Sequence, residues 1–266
     1  MRILVKWPTR ARAERFSQYL ERWIEYASDT HPVCFLISQD KDDPARFDVY
    51  KHWPLNVALE GGGLAHRPAS KRMVHVCFME GRCRSKIQAI NYGVDGHGFD
   101  VLVNAADDAW PLVLGYDSII VDEMLRHFPN LDGALNFWDG SPRQEYLCTM
   151  PVMGRRLYDF FGYIYHPDYQ SLYADTELME VCHKLNRMVV PEGWGKAKAG
   201  RWVREGQRCL IEHRHPVYGP GGQANYDALM RRNEAPALYA QDARVYNMHK
   251  AINFGLTEMQ LKGFSF

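Results

Sequence analysis

The chain lacks an excess of charge of either sign, because its 266 residues include 32 lysines and arginines and 32 aspartates and glutamates. A balanced chain has no overall positive field to attract nucleic acid, although a local basic face is compatible with this balance. Hydrophobic residues make up 46% of the sequence. This composition predicts an ordinary globular protein that is long enough for one large α/β domain.

The six cysteines lack any Cys-x-x-Cys spacing. We therefore expect reduced thiols that mostly fill the core. Long apolar runs are also missing, so no segment reaches the length of a membrane span. The apolar start is short and is interrupted by Lys6, which is not typical of a signal peptide. Together these features predict a cytoplasmic protein that has no membrane partner and acts on a soluble substrate.

Short apolar runs alternate with amphipathic stretches in the first half of the chain. Helical spacing of apolar residues from Phe16 to Ala27 predicts a helix, and further helices are predicted at 85–92 and 116–128. This order predicts a mostly parallel sheet with helices on both faces, and a mixed second half after residue 140. A long loop is predicted for 44–72 and helical structure for 223–254. Strands are predicted at 3–5, 33–37, 73–78, 99–103 and 134–137.

Two adjacent carboxylates, Asp107 and Asp108, follow the predicted strand at 99–103. Open α/β sheets bind ligands where their strands end. Adjacent carboxylates repel each other, and a bound divalent cation is the usual reason for such a pair. The alternative is a helix N-terminus, where aspartate is also favoured.

Six motifs follow one another in an order that resembles the family 2-like glycosyltransferases of the GT-A fold. The resemblance covers roughly residues 1–216, and in detail the chain is similar to small, stand-alone enzymes encoded by viruses. One departure is Ala105, which stands where the family motif begins with an aspartate. The motifs are Trp7-Pro8-Thr9-Arg10, Gln39-Asp40-Lys41-Asp42-Asp43, Lys86-Ile87-Gln88-Ala89-Ile90-Asn91, Ala105-Ala106-Asp107-Asp108, Ala174-Asp175-Thr176-Glu177 and His213-Arg214-His215-Pro216.

The resemblance implies an α/β, Rossmann-like GT-A domain over 1–216, with a nucleotide-sugar half at 1–110 and an acceptor half at 111–216. Residues 217–266 are then a helical extension of the same domain. It also implies a UDP-sugar donor and a Mn²⁺ or Mg²⁺ ion bound by Asp107. The residues expected to contact the donor are Thr9, Arg10, Asp40, Lys86, Asn91 and Asp108.

His213 and His215 are two residues apart, so both side chains point to one side if this segment is extended. One of them could complete the metal shell, and imidazole suits Mn²⁺ better than Mg²⁺. The alternative is a polar turn before Pro216.

Inversion at the sugar requires a general base that deprotonates the acceptor hydroxyl. Asp175 matches the family's base position, and Glu177 is the second candidate. Asp175 could also cap a helix, and the two roles are compatible. If neither residue acts as the base, a retaining mechanism becomes possible.

The acceptor is expected to contact Trp138 and Asp139, which offer an aromatic platform beside a carboxylate. Basic residues at 196–204, interleaved with tryptophan, fit a contact with a phosphate backbone or form a solvated loop. The leading acceptor is a 5-hydroxymethylpyrimidine in DNA, because some similar viral enzymes modify that base. The alternatives are a surface glycan acceptor, a metal-dependent nucleotide hydrolase or nuclease, and a nucleotide-sugar binder without catalysis.

Overall fold

The structure is a computed structural model that describes residues 1–48, 57–58, 64–66, 70–141, 147–195, 209–215 and 226–258. Within these ranges, a main sheet of nine strands and a separate two-stranded ribbon are present. The strands are β1 (Ile3–Thr9), β2 (Val33–Asp40), β3 (Val57–Ala58), β4 (Leu64–His66), β5 (Val74–Gly81), β6 (Val101–Asn104), β7 (Ala109–Pro111), β8 (Ala134–Leu135), β9 (Val152–Gly154), β10 (Met188–Val189) and β11 (Ile211–His213).

The main sheet has the strand order β10-β8-β9-β6-β1-β2-β5-β4-β3. Its four central strands, β6, β1, β2 and β5, are parallel to one another. Strand β9 is antiparallel to both of its neighbours, and the β3–β4 hairpin adds an antiparallel edge beside β5. The predicted mostly parallel sheet with a mixed second half is therefore confirmed.

Helices cover both faces of the sheet. The two cores are separated by the alternation of side chains along the strands, because successive residues of a strand point to opposite faces. The helices are α1 (Ala13–Tyr26), α2 (Lys86–Asn91), α3 (Tyr116–His127), α4 (Arg155–Phe161), α5 (Ala174–Lys184), α6 (Ala228–Asn233) and α7 (Pro236–Ala251). In β1, Ile3 and Val5 pack with α1 and α3, whereas Leu4 packs with α2, α4 and α5.

Helix α1 confirms the pattern predicted from its sequence, since Phe16, Leu20 and Trp23 are fully buried. The stretch predicted to be helical near the C-terminus contains two helices, α6 and α7. Pro236 separates them, because proline is favoured in the first turn of a new helix and cannot continue an existing one.

The predicted loop at 44–72 is wrong at β3 and β4, which form a short hairpin on the edge of the sheet. Strands of two and three residues are too short to show a period-two pattern in the sequence. Among the described residues, no helix has the length and the apolar character that crossing a membrane requires.

Candidate functional site

The candidate site lies where the central parallel strands end. Thr9 at the end of β1 pairs in register with Gln39 of β2, and Lys6 of β1 pairs with Asn104 of β6. Parallel strands end at the same edge of a sheet, so the residues that follow them meet there. The predicted positions Thr9, Asp40 and Asp107 are thereby brought to one cavity.

This first cavity has a volume of about 270 Å³. Thr9, Asp40 and Asp107 line it together with the cations of Arg10, Arg12, Arg84, Lys86 and Arg232. These arginine and lysine side chains around one small cavity favour an anionic ligand, because guanidinium and ammonium groups donate charge-assisted hydrogen bonds to phosphate.

Both carboxylate oxygens of Asp40 accept hydrogen bonds from other residues of the protein. Its Oδ2 accepts a hydrogen bond from Nη1 of Arg10 at 2.8 Å, and its Oδ1 accepts one from the backbone N–H of Cys83 at 2.7 Å. Arg10 also donates to Asp42 at 2.8 Å. Asp42 is largely exposed, yet it belongs to this network through Arg10, and the network orders the loop that follows β2.

Asp107 is buried at the rim of the first cavity. The indole Nε1 of Trp7 donates to its Oδ1 at 2.8 Å, and the hydroxyl of Thr9 donates to its Oδ2 at 3.1 Å. Burial raises the pKa of Asp107 to about 7, against the opposing effects of Arg12 and the Trp7 hydrogen bond. A nearby dication would favour the charged carboxylate, because an opposite charge stabilises the ionised form.

A second cavity of about 230 Å³ adjoins the first, and both are lined by Arg12, Lys86 and Asn233. The second cavity also contains four of the residues predicted from the sequence, namely Asp108, Asp175, His213 and His215. Lys86 therefore lies at the boundary between the cation-rich first cavity and the second cavity, which contains more acids. A ligand that occupied both cavities would contact it.

The ribbon of β7 and β11 brings His213 to Asp108. His213 pairs in register with Ala109, the residue that follows Asp108. Its Nε2 lies 3.4 Å from Oδ1 of Asp108, and its Nδ1 lies 3.4 Å from Oδ2 of Asp139. Burial alone would lower the pKa of His213, but these two carboxylates raise it to about 10. The two carboxylates therefore favour the imidazolium form, which would have to lose a proton before it could bind a metal.

Asp139 has a different environment from the acceptor contact predicted for it. Its Oδ2 accepts from the hydroxyl of Thr149 at 2.6 Å, and its Oδ1 accepts from the backbone N–H of Ser141 at 2.8 Å. Burial opposes ionisation, but His213 and these donors hold the pKa of Asp139 below its ordinary value. Asp139 therefore orients the His213 ring through its Nδ1 atom, while the Nε2 atom faces Asp108.

Asp175 is half-buried in the first turn of α5 and lines the second cavity. Burial raises its pKa, while the charge of Lys86 opposes that rise. The preceding Tyr173 has a φ of +62°, in the left-handed region, and its ring packs against Tyr239 and Tyr246 of α7. Non-glycine residues in this region are strained, so the packing of α7 holds the start of α5 in place.

The C-terminal helices form a wall of the cleft that the sequence did not indicate. Arg12 donates two hydrogen bonds to Asp227, from Nε at 2.6 Å and from Nη2 at 2.9 Å. Asp227 also caps α6, since its Oδ1 accepts from the backbone N–H of Met230 at 2.9 Å. His215 lies 3.5 Å from Glu234, which follows α6.

Three predicted site residues lie elsewhere. Glu177 accepts from Tyr169 at 2.5 Å and contacts His249 at 2.8 Å, and it lines neither cavity. The side-chain amide of Asn91 donates to the carbonyl oxygen of residue 165 and accepts from the backbone N–H groups of residues 164 and 165. The indole of Trp138 donates to the carbonyl of Ser141 at 2.9 Å, and Trp138 also lies outside both cavities. Their polar groups bond to other parts of the protein and lie outside the two cavities, a distinction that sequence spacing does not reveal.

The predicted metal shell of Asp107, His213 and His215 is not assembled as three converging ligands. Asp107 lines the first cavity, whereas the two histidines line the second with Asp108. Carboxylates at the junction of the two cavities nevertheless fit a hard dication, which is commonly held by one or two carboxylates together with phosphate oxygens of the substrate. The basic stretch at 196–204 lies outside the described residues.

Comparison with solved structures finds similar folds at low sequence identity. The mannosyltransferase PcManGT from Pyrobaculum calidifontis, in complex with GDP-Man and Mn²⁺, matches with a TM-score of 0.52 and 14% identity over 71% of this chain and 54% of that chain. S. aureus TarS 1–349 matches with a TM-score of 0.52 and 12% identity over 74% of this chain and 59% of that chain.

The chain therefore spans just over half the length of these two structures. No protein-family model matches it, and no curated protein does. The structural similarity shows that the chain has the mixed α/β architecture of GT-A glycosyltransferases.

Proposed function

We propose that this protein is a metal-dependent glycosyltransferase that moves a sugar from a nucleoside-diphosphate sugar to an acceptor hydroxyl. The observation that carries the proposal is that the adjacent residues Asp107 and Asp108 line two adjoining cavities, Asp107 the cation-rich first one and Asp108 the second one with its acids and histidines. The first cavity suits a nucleoside diphosphate, and the second suits the sugar and the acceptor.

Arg12 and Lys86 line both cavities, so they would contact a diphosphate at the boundary. Each carries a positive charge close to the point where the leaving group gains negative charge. Such preorganised charges stabilise a transition state more than a ground state, because the charge on the leaving oxygen develops only as the glycosidic bond breaks.

Asp107, with Asp108 beside it, would hold a Mn²⁺ or Mg²⁺ ion on the diphosphate. A bound dication supplies Lewis-acid neutralisation of the departing diphosphate. The Pyrobaculum mannosyltransferase, which shares the fold, is described in complex with GDP-Man and Mn²⁺. The family resemblance favours uridine as the nucleoside, and guanosine is the alternative that this comparison supports.

Asp175 is the proposed general base. Its carboxyl lines the second cavity, and burial raises its pKa toward the range in which a carboxylate accepts a proton efficiently. Transfer then breaks the bond between the anomeric carbon and the diphosphate oxygen and forms a bond from that carbon to the acceptor oxygen. The acceptor proton goes to Asp175. Inversion at the sugar follows if the acceptor attacks opposite the leaving group.

The acceptor predicted from the sequence, a 5-hydroxymethylpyrimidine in DNA, stays a prediction. It rested on the family resemblance, on the lack of a membrane anchor in the sequence and on the basic stretch at 196–204, which lies outside the described residues. The proposal therefore specifies only that the acceptor carries a hydroxyl group. DNA and glycans are both included as acceptors in the experiment that tests it.

The full chain is to be incubated with Mn²⁺, a panel of UDP- and GDP-sugars, and acceptors that include 5-hydroxymethylcytosine DNA and oligosaccharides. Mass spectrometry then detects a sugar added to one acceptor. We expect transfer with wild type, at least hundredfold loss in Asp107→Ala, and loss of transfer with retained donor binding in Asp175→Asn.

Asp159→Ala is the matched control, because Asp159 is half-exposed and forms an ion pair with Arg155 on its own helix. Full activity of Asp107→Ala in the presence of a chelator would contradict the metal assignment. Release of phosphate from the nucleotide with no sugar on any acceptor would instead identify a hydrolase. Nucleotide-sugar binding without turnover of any kind would identify a non-catalytic binder.

A further inference from the structure

Outside the cleft, His166, Glu177 and His249 bring their ligand atoms together. One ligand atom from each of the three side chains lies within 4.8 Å of the other two. In the part of the chain that the structure describes, no other three His, Cys, Asp or Glu side chains converge this closely. The cluster joins the loop before α5, α5 itself and the C-terminal helix α7.

His249 lies between two carboxylates. Its Nδ1 is 2.8 Å from Oε2 of Glu177, and its Nε2 is 3.2 Å from Oδ2 of Asp168. A neutral imidazole has only one N–H, so it can donate to only one of them. The other nitrogen then directs a lone pair at a carboxylate oxygen. A metal ion bound by both atoms would use that lone pair and the carboxylate oxygen as ligands.

Glu177 is held in one orientation. The hydroxyl of Tyr169 donates to its Oε2 at 2.5 Å, and the carboxylate is buried. His166 faces the same point, with its ring centroid 4.4 Å from that of His249. A cavity of about 10 Å³ beside the cluster is lined by His166 and Glu177 together with apolar side chains, and His249 does not line it.

We infer that His166, Glu177 and His249 form a second metal site, selective for a transition-metal dication such as Zn²⁺. Two imidazoles and a carboxylate are a ligand set that zinc prefers. Asp168 would accept a hydrogen bond from Nε2 of His249, and a carboxylate behind a ligating histidine is the usual arrangement that fixes its tautomer. Ligand atoms of tetrahedral zinc lie about 3.4 Å apart, so Nδ1 of His249 and Oε2 of Glu177, which are 2.8 Å apart, would separate slightly on binding, while a pair near the 4.8 Å limit would approach.

The consequence is structural. The metal would fasten α7 to α5, close to the place where Asp242 of α7 accepts the backbone N–H groups of residues 170–172. Gln170 and Ser171 line the first and second cavities, respectively. The site would therefore stabilise a wall of the cleft without contacting a substrate. This inference is independent of the proposed transfer reaction.

The test uses the full chain after removal of metals with a chelator. Calorimetric titration with ZnCl₂ and thermal unfolding with and without Zn²⁺ measure binding and stabilisation. We expect one tight Zn²⁺ per chain and a raised Tm, because a ligand that binds only the folded state stabilises it. His166→Asn and His249→Asn should each weaken binding at least tenfold and remove the Tm increase.

Two control variants separate this site from other histidines. His183→Asn changes an exposed histidine on α5, and His215→Asn changes an imidazole of the cleft. Both should retain the tight Zn²⁺ and the Tm increase. Circular dichroism checks folding, and His166→Asn decides the test if His249→Asn fails to fold. Wild-type zinc affinity in folded His166→Asn, or no tight zinc in wild type, would overturn the inference.

Discussion

Arg12 and Asp227, which are 215 positions apart in the chain, form an ion pair with two hydrogen bonds of 2.6 and 2.9 Å. Arg12 follows β1 and lines both cavities, whereas Asp227 caps α6. The pair therefore connects the strand end to the C-terminal helices that close the cleft. The position of Arg12 toward a bound diphosphate depends on this contact.

Asp227→Ala removes both the ion pair and the helix cap. We expect a loss of about 1–2 kcal/mol in the free energy of unfolding, since a cap contributes about 1 kcal/mol and a part-buried pair adds to it. KM for the nucleotide sugar should rise, because Arg12 loses its orientation. Denaturant unfolding and steady-state kinetics measure the two effects.

Asp159→Ala removes a more exposed pair and should cost less than about 1 kcal/mol. An equal loss in both variants would argue against a special role for Asp227.

Lys6 is fully buried, and its Nζ donates to the hydroxyl of Ser38 at 2.7 Å. Burial lowers the pKa of Lys6 to about 7. Between pH 7 and about 10.5 the unfolded chain binds a proton that the folded chain does not, so the stability of wild type should rise with pH across this window. Below pH 7 the buried charge carries its full cost.

Lys6→Met should abolish this dependence. We expect the variant to gain on the order of 2–4 kcal/mol relative to wild type at pH 6, and the gain should disappear toward pH 10. Urea denaturation at a series of pH values measures the difference. A difference between the two proteins that does not change with pH would mean that Lys6 keeps its proton in both states.

Asp242 of α7 is fully buried and accepts three backbone N–H groups, from Gln170 at 3.0 Å, Ser171 at 2.8 Å and Leu172 at 2.7 Å. Asp242→Ala leaves these donors without their acceptor. We expect a loss of about 3 kcal/mol in stability, because buried unsatisfied groups are costly.

Hydrogen exchange should show faster exchange of the three amides in Asp242→Ala. Gln241→Ala is the matched control, because Gln241 is the exposed neighbour on the same helix. That variant should change stability by less than about 0.5 kcal/mol. Unchanged protection of residues 170–172 in Asp242→Ala would show that another element holds this loop.

Asp139→Asn tests whether His213 needs both of its carboxylates. The variant leaves the buried imidazolium with Asp108 alone, and removal of one partner from a buried charge cluster costs about 3 kcal/mol. We expect lower stability at pH 7 and slower sugar transfer, measured by denaturation and by product formation. Thr149→Val removes only a neutral donor to Asp139 and should have a smaller effect. The reverse ranking of the two variants would contradict the orienting role of Asp139.

The fold was predictable because its signals are local. The stripe from Phe16 to Ala27 and the apolar runs of β1, β2 and β6 need only a neighbouring layer to bury them, whatever that layer is. The position of Asp107 at the edge of the sheet was also predictable, because the direction of a parallel strand determines which edge the following residues occupy.

The chemistry of individual side chains was harder to predict. Asp175 and Glu177 are two residues apart on one helix, yet one lines the second cavity and the other lies against His249. A helix turns by about 100° per residue, so this separation places them on different faces. Which face meets the cleft depends on how α5 packs against the sheet and α7.

The sequence by itself determined the order of strands and helices and the placement of acids after strands, because both follow from local hydrophobic pattern and strand direction. Only the tertiary structure decided that His213 pairs with Asp108, that Arg12 meets Asp227, and that Glu177 leaves the cleft for His249. Each of these contacts joins segments at least 72 residues apart. Their partners are selected by the packing of the whole chain, and no local pattern of residues records that choice.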